Sequence, residues 1–376
     1  MFASPGIRTL RFSHRSIYRM CLFVFFTVLS GVIIECLLIQ VGYISADASH
    51  SSKIITGQYS HFAKRFFSGG QSNFGSGYSA GGQQYDASSA ASPNFSYKSV
   101  VAYQPKDRDD AIYQKLKDSI LYTNCEDNFF IQSNNPSDLY AGVADGVGGW
   151  AEHGYDSSAI SRELCKAMAQ LSSTLNPQKN NLTPKAIIDA AYNQIKTGGV
   201  VKVGGTTAIM GHFSPNGTLK IANLGDSWCG VFRDNKLTYQ TKFQTVGFNA
   251  PYQLAIIPEA MLREAERRGG SYIQNKPSDA DEYTFQLEKG DIVMLATDGV
   301  TDNIATGDME IFLADKKSAV DTDFQSVADS FVADVVKLSR DSNFPSVFAQ
   351  ELSKLYGKEY RGGKEDDITV VMVRVE

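Results

Sequence analysis

Histidine and cysteine are scarce in this chain, and neither is arranged as in a typical metal or redox site. The 376 residues include five His and five Cys. The cysteines are scattered, and no two of them form a Cys-x-x-Cys pair: Cys21, Cys36, Cys125, Cys165 and Cys229. This pattern argues against a cysteine zinc site or a disulfide framework. We therefore expect the cysteines to be small, buried, apolar residues.

Two common catalytic motifs are also missing. The chain has no G-x-x-x-x-G-K-[ST] loop, which excludes a P-loop nucleotide enzyme, and no G-x-S-x-G nucleophile turn. No repeat of 20–50 residues is visible.

Acidic charge is lacking at the front of the chain and in excess behind it. The net charge is −5, yet residues 1–106 hold nine Lys or Arg and three acidic residues. The acidic body argues against nucleic acid as a partner, because a phosphate backbone needs a basic footprint. It fits a protein whose charge is partly balanced by divalent metal.

The first residues have the composition of a targeting segment followed by a membrane anchor. Residues 1–19 contain no acid, and four arginines recur on one helical face, which resembles a mitochondrial presequence; the alternative is the basic flank of a signal anchor. Residues 21–39 are mostly apolar, and Glu35 is their only charged residue. A span of ~20 apolar residues crosses a bilayer, so we predict a single transmembrane helix over 20–44. Residues 45–104 are predicted to be a disordered Gly/Ser-rich linker.

From residue 105 to 376 the pattern predicts one α+β domain. Apolar runs separated by turn residues predict strands, and apolar residues at helical spacing predict helices. The predicted strands are 129–131, 139–144, 206–213, 219–223, 228–233, 237–241, 283–287, 291–297 and 368–375. Two helices are predicted to start near residue 156 and at residue 184, and two more are predicted over 258–268 and 327–338. Hairpin-linked strands interrupted by helices indicate two antiparallel sheets flanked by helices.

Four acidic motifs lie where predicted strands begin or end: Glu126-Asp127, Asp145-Gly146, Asp298-Gly299 and Asp366-Asp367. Carboxylates are costly to bury unless something neutralises them. We expect no Lys or Arg side chains that balance the charge of these carboxylates, so their convergence indicates bound cations. Carboxylate oxygens are ligands that suit Mg²⁺ or Mn²⁺. The histidines do not lie beside these motifs.

The order of the motifs is more specific than any one of them. The acidic motifs are interleaved with Gly204-Gly205-Thr206-Thr207 and Asn223-Leu224-Gly225-Asp226-Ser227. This arrangement resembles the metal-dependent type 2C protein serine/threonine phosphatases, whose fold is a helix–sheet–sheet–helix sandwich. The Asp-Gly-Val-Gly-Gly-Trp stretch and the front end resemble the homologue-7 branch, which implies a mitochondrial location and a link to coenzyme Q biosynthesis.

The resemblance implies a site for two Mn²⁺ or Mg²⁺ ions between the sheets. It makes Asp145 the carboxylate that bridges both ions and Gly146 the donor of a backbone carbonyl. Glu126 would bind metal directly or through water. Asp298 and Asp366 would be ligands of the other ion.

The resemblance gives weaker roles to Asp226 and Asp302, as outer or third-metal acids. The Gly-Gly-Thr-Thr and Gly225-Asp226 segments would be positions of close strand packing. The chain departs from the family pattern in having Tyr122 in place of a phosphate-binding Arg and Val147 in place of a proposed general-acid His.

These departures leave phosphate binding to the metals or to a cation, with Arg162 and Lys202 as the named candidates, and they leave proton donation to His153. The last is more readily explained as a surface histidine. Trp228 stands where relatives often have Arg, which removes a second anion contact.

The implied reaction is direct attack of metal-activated water on phosphoserine or phosphothreonine, without a phosphoenzyme. One alternative is another two-metal phosphoesterase; the other is a catalytically weak, membrane-tethered binding module. The expected partners are phosphorylated proteins and a membrane, with no nucleic acid. The mitochondrion is the favoured location, with the endoplasmic reticulum or nuclear envelope as the alternative. The oligomeric state is not predicted.

Overall fold

A computed structural model describes residues 95–107, 125–174 and 183–376. Its strands are β1 (Tyr97–Gln104), β2 (Asp127–Asn135), β3 (Asp138–Asp145), β4 (Gly204–Thr206), β5 (Ala208–Phe213), β6 (Thr218–Leu224), β7 (Trp228–Arg233), β8 (Lys236–Gln240), β9 (Thr245–Gly247), β10 (Ala250–Pro251), β11 (Leu254–Ile256), β12 (Asp281–Gln286), β13 (Ile292–Ala296) and β14 (Ile368–Val375). Its helices are α1 (Ser158–Thr174), α2 (Pro184–Gly198), α3 (Glu259–Arg267), α4 (Asp298–Thr301), α5 (Thr306–Asp315), α6 (Lys317–Thr322), α7 (Phe324–Ser339) and α8 (Val347–Tyr356).

Two five-stranded antiparallel sheets form the centre of the fold. One has the order β1-β14-β13-β7-β8 and the other β12-β6-β5-β3-β2. In the first, β14 pairs with β1 from Tyr97↔Val375 to Gln104↔Ile368 and with β13 on its other side. Two short pairs, β9-β10 and β4-β11, complete the described strands.

Alternating side chains divide the core into three layers. Along β14, Val371, Val373 and Val375 belong to the cluster between the sheets, with Leu139 and Val143 of β3. The alternate residues of β14 belong to a second cluster that includes α5 and α7. Successive residues of a strand point to opposite faces, so a strand buried on both faces is apolar throughout.

The second sheet is covered on its outer face by α1 and α2. Ile160, Leu164 and Met168 of α1 recur at helical spacing and are buried. Helix α2 begins as the sequence predicts, because the Thr183 hydroxyl accepts a hydrogen bond from the Ala186 N–H and Pro184 occupies the first turn. The predicted helix–sheet–sheet–helix arrangement is therefore confirmed.

The residues 257–273 form a unit distinct from the two sheets. Within it, α3 is followed by Gly269, whose φ of +73° suits the end of a helix. The exposed charges of α3 are paired along the helix, as in the Arg263–Glu259 pair.

Three sequence predictions need correction. Strand β1 lies inside the segment 45–104 that was predicted to be linker, so the sheet begins before residue 105. The predicted strand 206–213 is divided at Thr207 into β4 and β5. Helices α5, α6 and α8 were not predicted.

The predicted targeting segment 1–19 and transmembrane helix 20–44 lie outside the described residues. Of the helices that the structure describes, none combines the length and apolar character needed to cross a bilayer.

Candidate metal centre

The end of β3 is held by the Gly-Gly-Thr-Thr residues that precede β5, which are strand β4 and Thr207. The Thr206 hydroxyl donates to the carbonyl of Asp145 (2.9 Å), and the Thr207 hydroxyl accepts from its N–H (3.0 Å). The next residue, Gly146, donates its N–H to the carbonyl of Glu126 (3.1 Å). A Cβ at Gly146 would collide with the Ser157 carbonyl oxygen, so this backbone approach needs glycine.

Asp298 is the first residue of α4 and follows the buried strand β13 directly. Gly299 packs against the backbone carbonyl of Asp367, where any Cβ would collide. This contact brings the start of α4 against the segment that leads into β14. Asp298 and Asp366, 68 positions apart in the printed sequence, therefore lie at one place in the fold.

One lysine joins three of the predicted acidic residues. The Lys364 ammonium lies 2.7 Å from Asp298 Oδ2, 2.5 Å from Asp302 Oδ2 and 3.3 Å from Asp366 Oδ2. It also donates to Asn249 Oδ1 (3.1 Å). A single nitrogen within these distances of three carboxylates shows that they converge.

A second lysine contacts the other side of the same cluster. Lys106 Nζ lies 2.9 Å from Asp366 Oδ1 and 3.1 Å from Glu126 Oε2. Glu126 also accepts from the Ser157 hydroxyl (2.5 Å). The expectation that the carboxylates have no matching Lys or Arg is therefore wrong, since Lys364 and Lys106 both neutralise them.

Two aspartates of the acidic motifs, Asp127 and Asp367, were given no role of their own from the sequence. Asp367 is 2% exposed and accepts from the backbone N–H groups of Lys106 (2.8 Å) and Glu126 (2.7 Å). Asp127 pairs with Asp145 across β2 and β3 and accepts from the Thr297 hydroxyl (2.7 Å). Both follow a predicted ligand directly, and adjacency in an acidic pair was the available signal.

The electrostatics of the cluster follow from burial and mutual repulsion. Burial, and then the charges of Asp127 and Asp298, raise the pKa of Asp145 well above its ordinary value. Burial also raises the pKa of Asp302 to about 7, against the opposing effect of the Lys364 ammonium.

Asp366 behaves in the opposite way. Burial alone would raise its pKa, but the ammonium groups of Lys106 and Lys364 outweigh burial and hold it below the ordinary value. Burial would lower the pKa of Lys364, but the charges of Asp298, Asp302 and Asp366 outweigh burial and hold it well above its ordinary value.

The donor chemistry of the cluster fits a divalent cation. Its side chains offer carboxylate oxygens, which suit Mg²⁺ or Mn²⁺. Two of these oxygens, Asp127 Oδ1 and Asp298 Oδ1, are buried and accept no hydrogen bond within the described part of the chain. Such buried acceptors are costly unless a ligand or solvent satisfies them.

The carboxylate oxygens of the cluster face lysine ammonium groups. Among residues 95–107, 125–174 and 183–376, no three His, Cys, Asp or Glu side chains are placed so that they could bind one ion. The ammonium groups of Lys364 and Lys106 lie against the oxygens instead. An ion at this cluster would therefore have to share or replace these lysine contacts.

The other predicted residues have mixed outcomes. Asp226 is close enough to the cluster for its charge to raise the pKa of Asp145, although burial and Asp127 contribute more. Arg162 pairs with Asp156 (3.5 Å) and Glu163 (3.6 Å). His153 is exposed, with Nδ1 3.1 Å from the Gly149 carbonyl oxygen.

The Gly-rich segments pack closely, as predicted. A Cβ at Gly205 would collide with Gln253, and Gly225, with φ of +109°, lies against Thr207. Trp228 is a buried residue whose indole N–H donates to Gln240 (3.0 Å). The described cysteines (Cys125, Cys165 and Cys229) are buried, as the sequence predicts.

Comparisons with known proteins agree with this fold. The family model described as stage II sporulation protein E (SpoIIE) matches residues 135–376. "Protein phosphatase 2C homolog 7, mitochondrial" of Saccharomyces cerevisiae is 58% identical over 379 residues and covers 100% of both chains. "Protein phosphatase PTC7 homolog" of Xenopus laevis is 34% identical and covers 68% of this chain and 82% of that protein.

The solved structure of the photosystem II phosphatase PBCP has the same fold. Its TM-score is 0.59, with 24% sequence identity, and the match covers 74% of this chain and 99% of that chain.

The chain belongs to the protein phosphatase 2C family and carries its SpoIIE-type phosphatase domain. The predicted family is confirmed, and with it the prediction of a protein-serine/threonine phosphatase.

Proposed function

We propose that the carboxylate cluster is the active site of a metal-dependent phosphatase that hydrolyses phosphoserine and phosphothreonine in proteins. The observation that carries the proposal is the convergence of Asp298, Asp302 and Asp366 on one ammonium group, beside Asp145. Structural ion pairs rarely gather several buried carboxylates of like charge, because each raises the cost of ionising the others.

Five residues of the chain would hold two Mn²⁺ or Mg²⁺ ions: Glu126, Asp145, Gly146, Asp298 and Asp366. Asp226 and Asp302 would contribute more weakly. When bound, the ions would supply a nucleophilic water near neutral pH and positive charge for the phosphate.

The chain's own residues position these groups. Thr206 and Thr207 hold the backbone at Asp145, while Asp367 holds the backbone at Glu126 and Lys106. These bonds fix the ligands before substrate binds, which reduces the reorganisation required in the transition state.

Lys106 is a second cation beside the cluster, in addition to Lys364. Lys106 contacts Glu126 and Asp366, and its side chain is 26% exposed. We propose it, beside Arg162 and Lys202, as a candidate for phosphate contact in place of the arginine that Tyr122 replaces. Among these three, its contact with two proposed metal ligands favours Lys106.

Phosphate release from a phosphothreonine peptide tests the proposal. The wild-type chain should need Mn²⁺ or Mg²⁺ and lose activity reversibly in EDTA. Asp145→Asn should lose turnover while it stays folded, because removing one charge relieves carboxylate repulsion. Glu365→Gln, next to a proposed ligand but paired with Arg340 at 3.0 Å, is the matched control.

Full activity in excess EDTA, or wild-type turnover by Asp145→Asn at saturating Mn²⁺, would contradict the proposal. Absence of turnover in the wild type, with Mn²⁺ bound, would favour the weak binding module. The binding module is retained as a second candidate because lysines neutralise the carboxylate cluster.

We further propose that 20–44 is a transmembrane anchor, 1–19 a targeting segment and 45–94 a tether, and that the protein acts in mitochondria. The support is the composition of the segments and the name of the yeast relative. A link to coenzyme Q biosynthesis is part of the same proposal, and a nuclear-envelope or endoplasmic-reticulum location is the alternative to mitochondria. Imaging of a fluorescent fusion with protease protection tests location and topology; a fragment lacking residues 1–46 that still sediments with membranes would contradict the anchor.

A further inference from the structure

Lys364 has an unusual position for a lysine in a catalytic domain. Its side chain is 15% exposed, and its ammonium faces carboxylate oxygens of Asp298, Asp302 and Asp366. Burying three carboxylates is costly, and one ammonium that reaches all three reduces that cost.

Two of these three carboxylates are proposed metal ligands. Two positive charges beside the same carboxylates repel each other. A cation bound by Asp298 and Asp366 would therefore compete with the Lys364 ammonium for these two side chains.

The backbone of Lys364 is fixed, so the exchange is confined to its side chain. Its N–H donates to Asn303 Oδ1 (2.9 Å), and Asn303 Nδ2 donates to its carbonyl (2.8 Å). Asn303 also donates to the Gly299 carbonyl (2.8 Å), which joins this loop to α4. The long aliphatic chain of lysine can move without disturbing these bonds.

The ammonium also has partners outside the cluster. It donates to Asn249, between β9 and β10, and lies 5.4 Å from the ring centre of Phe348. Because the ammonium also contacts a polar and an aromatic side chain, it loses less interaction energy when its carboxylate contacts are replaced.

We propose that Lys364 is an internal counter-ion that competes with the divalent cation and thereby sets the metal affinity of the site. The inference rests on the proposed function, because it concerns the same cluster. With no metal, Lys364 stabilises the fold; with metal, its contacts to Asp298 and Asp366 are replaced.

The test compares Lys364→Met with the wild type in the full-length chain. Methionine keeps an unbranched side chain and removes the charge. Isothermal titration with Mn²⁺ should show tighter binding by about tenfold, within the usual range of coupling between ligands. The Tm in EDTA should fall, and the rise in Tm on adding Mn²⁺ should exceed that of the wild type.

Two variants serve as controls. Lys364→Arg keeps the charge and should bind Mn²⁺ no more tightly than the wild type. Lys289→Met removes an exposed lysine between β12 and β13 and should change nothing. A purely structural lysine would lower the Tm with and without Mn²⁺ by the same amount and leave the affinity unchanged or weaker.

A second measurement needs no variant that could fail to fold. Acylation of wild-type lysines, read by mass spectrometry, should label Lys364 several-fold faster with Mg²⁺ than in EDTA, while Lys289 labels equally. Equal or slower labelling of Lys364 with Mg²⁺, or equal or weaker Mn²⁺ affinity of folded Lys364→Met, would overturn the inference.

These outcomes are distinct from failure of the proposed function. A wild-type chain that binds no Mn²⁺ overturns both. Tighter Mn²⁺ binding by Lys364→Met in a protein that releases no phosphate supports the inference and overturns the function.

Discussion

Asp367→Asn is the substitution whose consequence the structure specifies most fully. The carboxylate of Asp367 is buried and receives two backbone N–H groups, from Lys106 at 2.8 Å and Glu126 at 2.7 Å. Asparagine has nearly the same shape but keeps only one acceptor oxygen. Its NH₂ group would face a backbone N–H, so one buried donor would lose its partner.

Two effects of opposite sign determine the magnitude. Hydrogen bonds to a charged group contribute about 1.5–3 kcal/mol each, and a buried donor without a partner costs about 1–3 kcal/mol. In the other direction, removing the charge of Asp367 relieves its repulsion of Asp127, whose pKa is raised first by burial and then by Asp367. We expect a net loss of about 2–3 kcal/mol in the free energy of unfolding.

Urea unfolding at neutral pH, followed by tryptophan fluorescence, measures this loss. Glu365→Gln is the control, because it removes a partly exposed ion pair with Arg340 and should cost less than about 1 kcal/mol. Phosphate release should also fall, since Asp367 holds the backbone at Glu126 and Lys106. A free energy of unfolding for Asp367→Asn equal to that of Glu365→Gln would refute the reasoning.

Three further predictions concern stability. Arg233→Met should lower the free energy of unfolding by about 3–5 kcal/mol, because it leaves the fully buried carboxylate of Asp291 without its charged partner. Two guanidinium nitrogens of Arg233 now bond Asp291, each at 2.9 Å. Urea unfolding that shows no loss of stability would contradict this prediction. Burial would raise the pKa of Asp138, but its interactions with His212 (2.7 Å) and Asn134 (3.1 Å) together outweigh burial and leave the pKa lowered. The stability that Asp138 contributes is therefore present above its unfolded pKa of about 3.9 and is lost as the pH falls below that value. The difference in free energy of unfolding between the wild type and Asp138→Asn should narrow from pH 7 to pH 3. A difference that widens would show that the sign is wrong. Gly299→Ala should lower the Tm by several degrees in thermal melts, because its Cβ meets a backbone carbonyl, and an unchanged Tm would refute the close approach.

The strands were predictable because their burial leaves a simple pattern. In β13 and β14 nearly every residue is apolar, and an acidic residue follows or precedes each run. Strand β1 was missed because it follows a Gly/Ser-rich stretch, lies at the edge of its sheet and has no fully buried residue except Ala102. Helix α5 carried a usable signal, since Met309 and Phe312 recur at helical spacing.

The acidic residues of the site were predictable, but their cationic partners were not. Lys106 and Asp366 are 260 positions apart, and no local pattern relates them. Lys364 is only two positions from Asp366, yet whether it faces the carboxylates depends on the loop held by Asn303. Composition and spacing indicate where carboxylates converge; side-chain direction within the fold decides what neutralises them.

Anomalous diffraction at the manganese edge, from crystals of the protein soaked in MnCl₂, tests the central claim most directly. We predict two peaks among the carboxylates of Asp145, Asp298 and Asp366, with the Lys364 ammonium moved away from Asp298. A map without a peak at these side chains at saturating Mn²⁺, with Lys364 still in contact with Asp298 and Asp366, would contradict it.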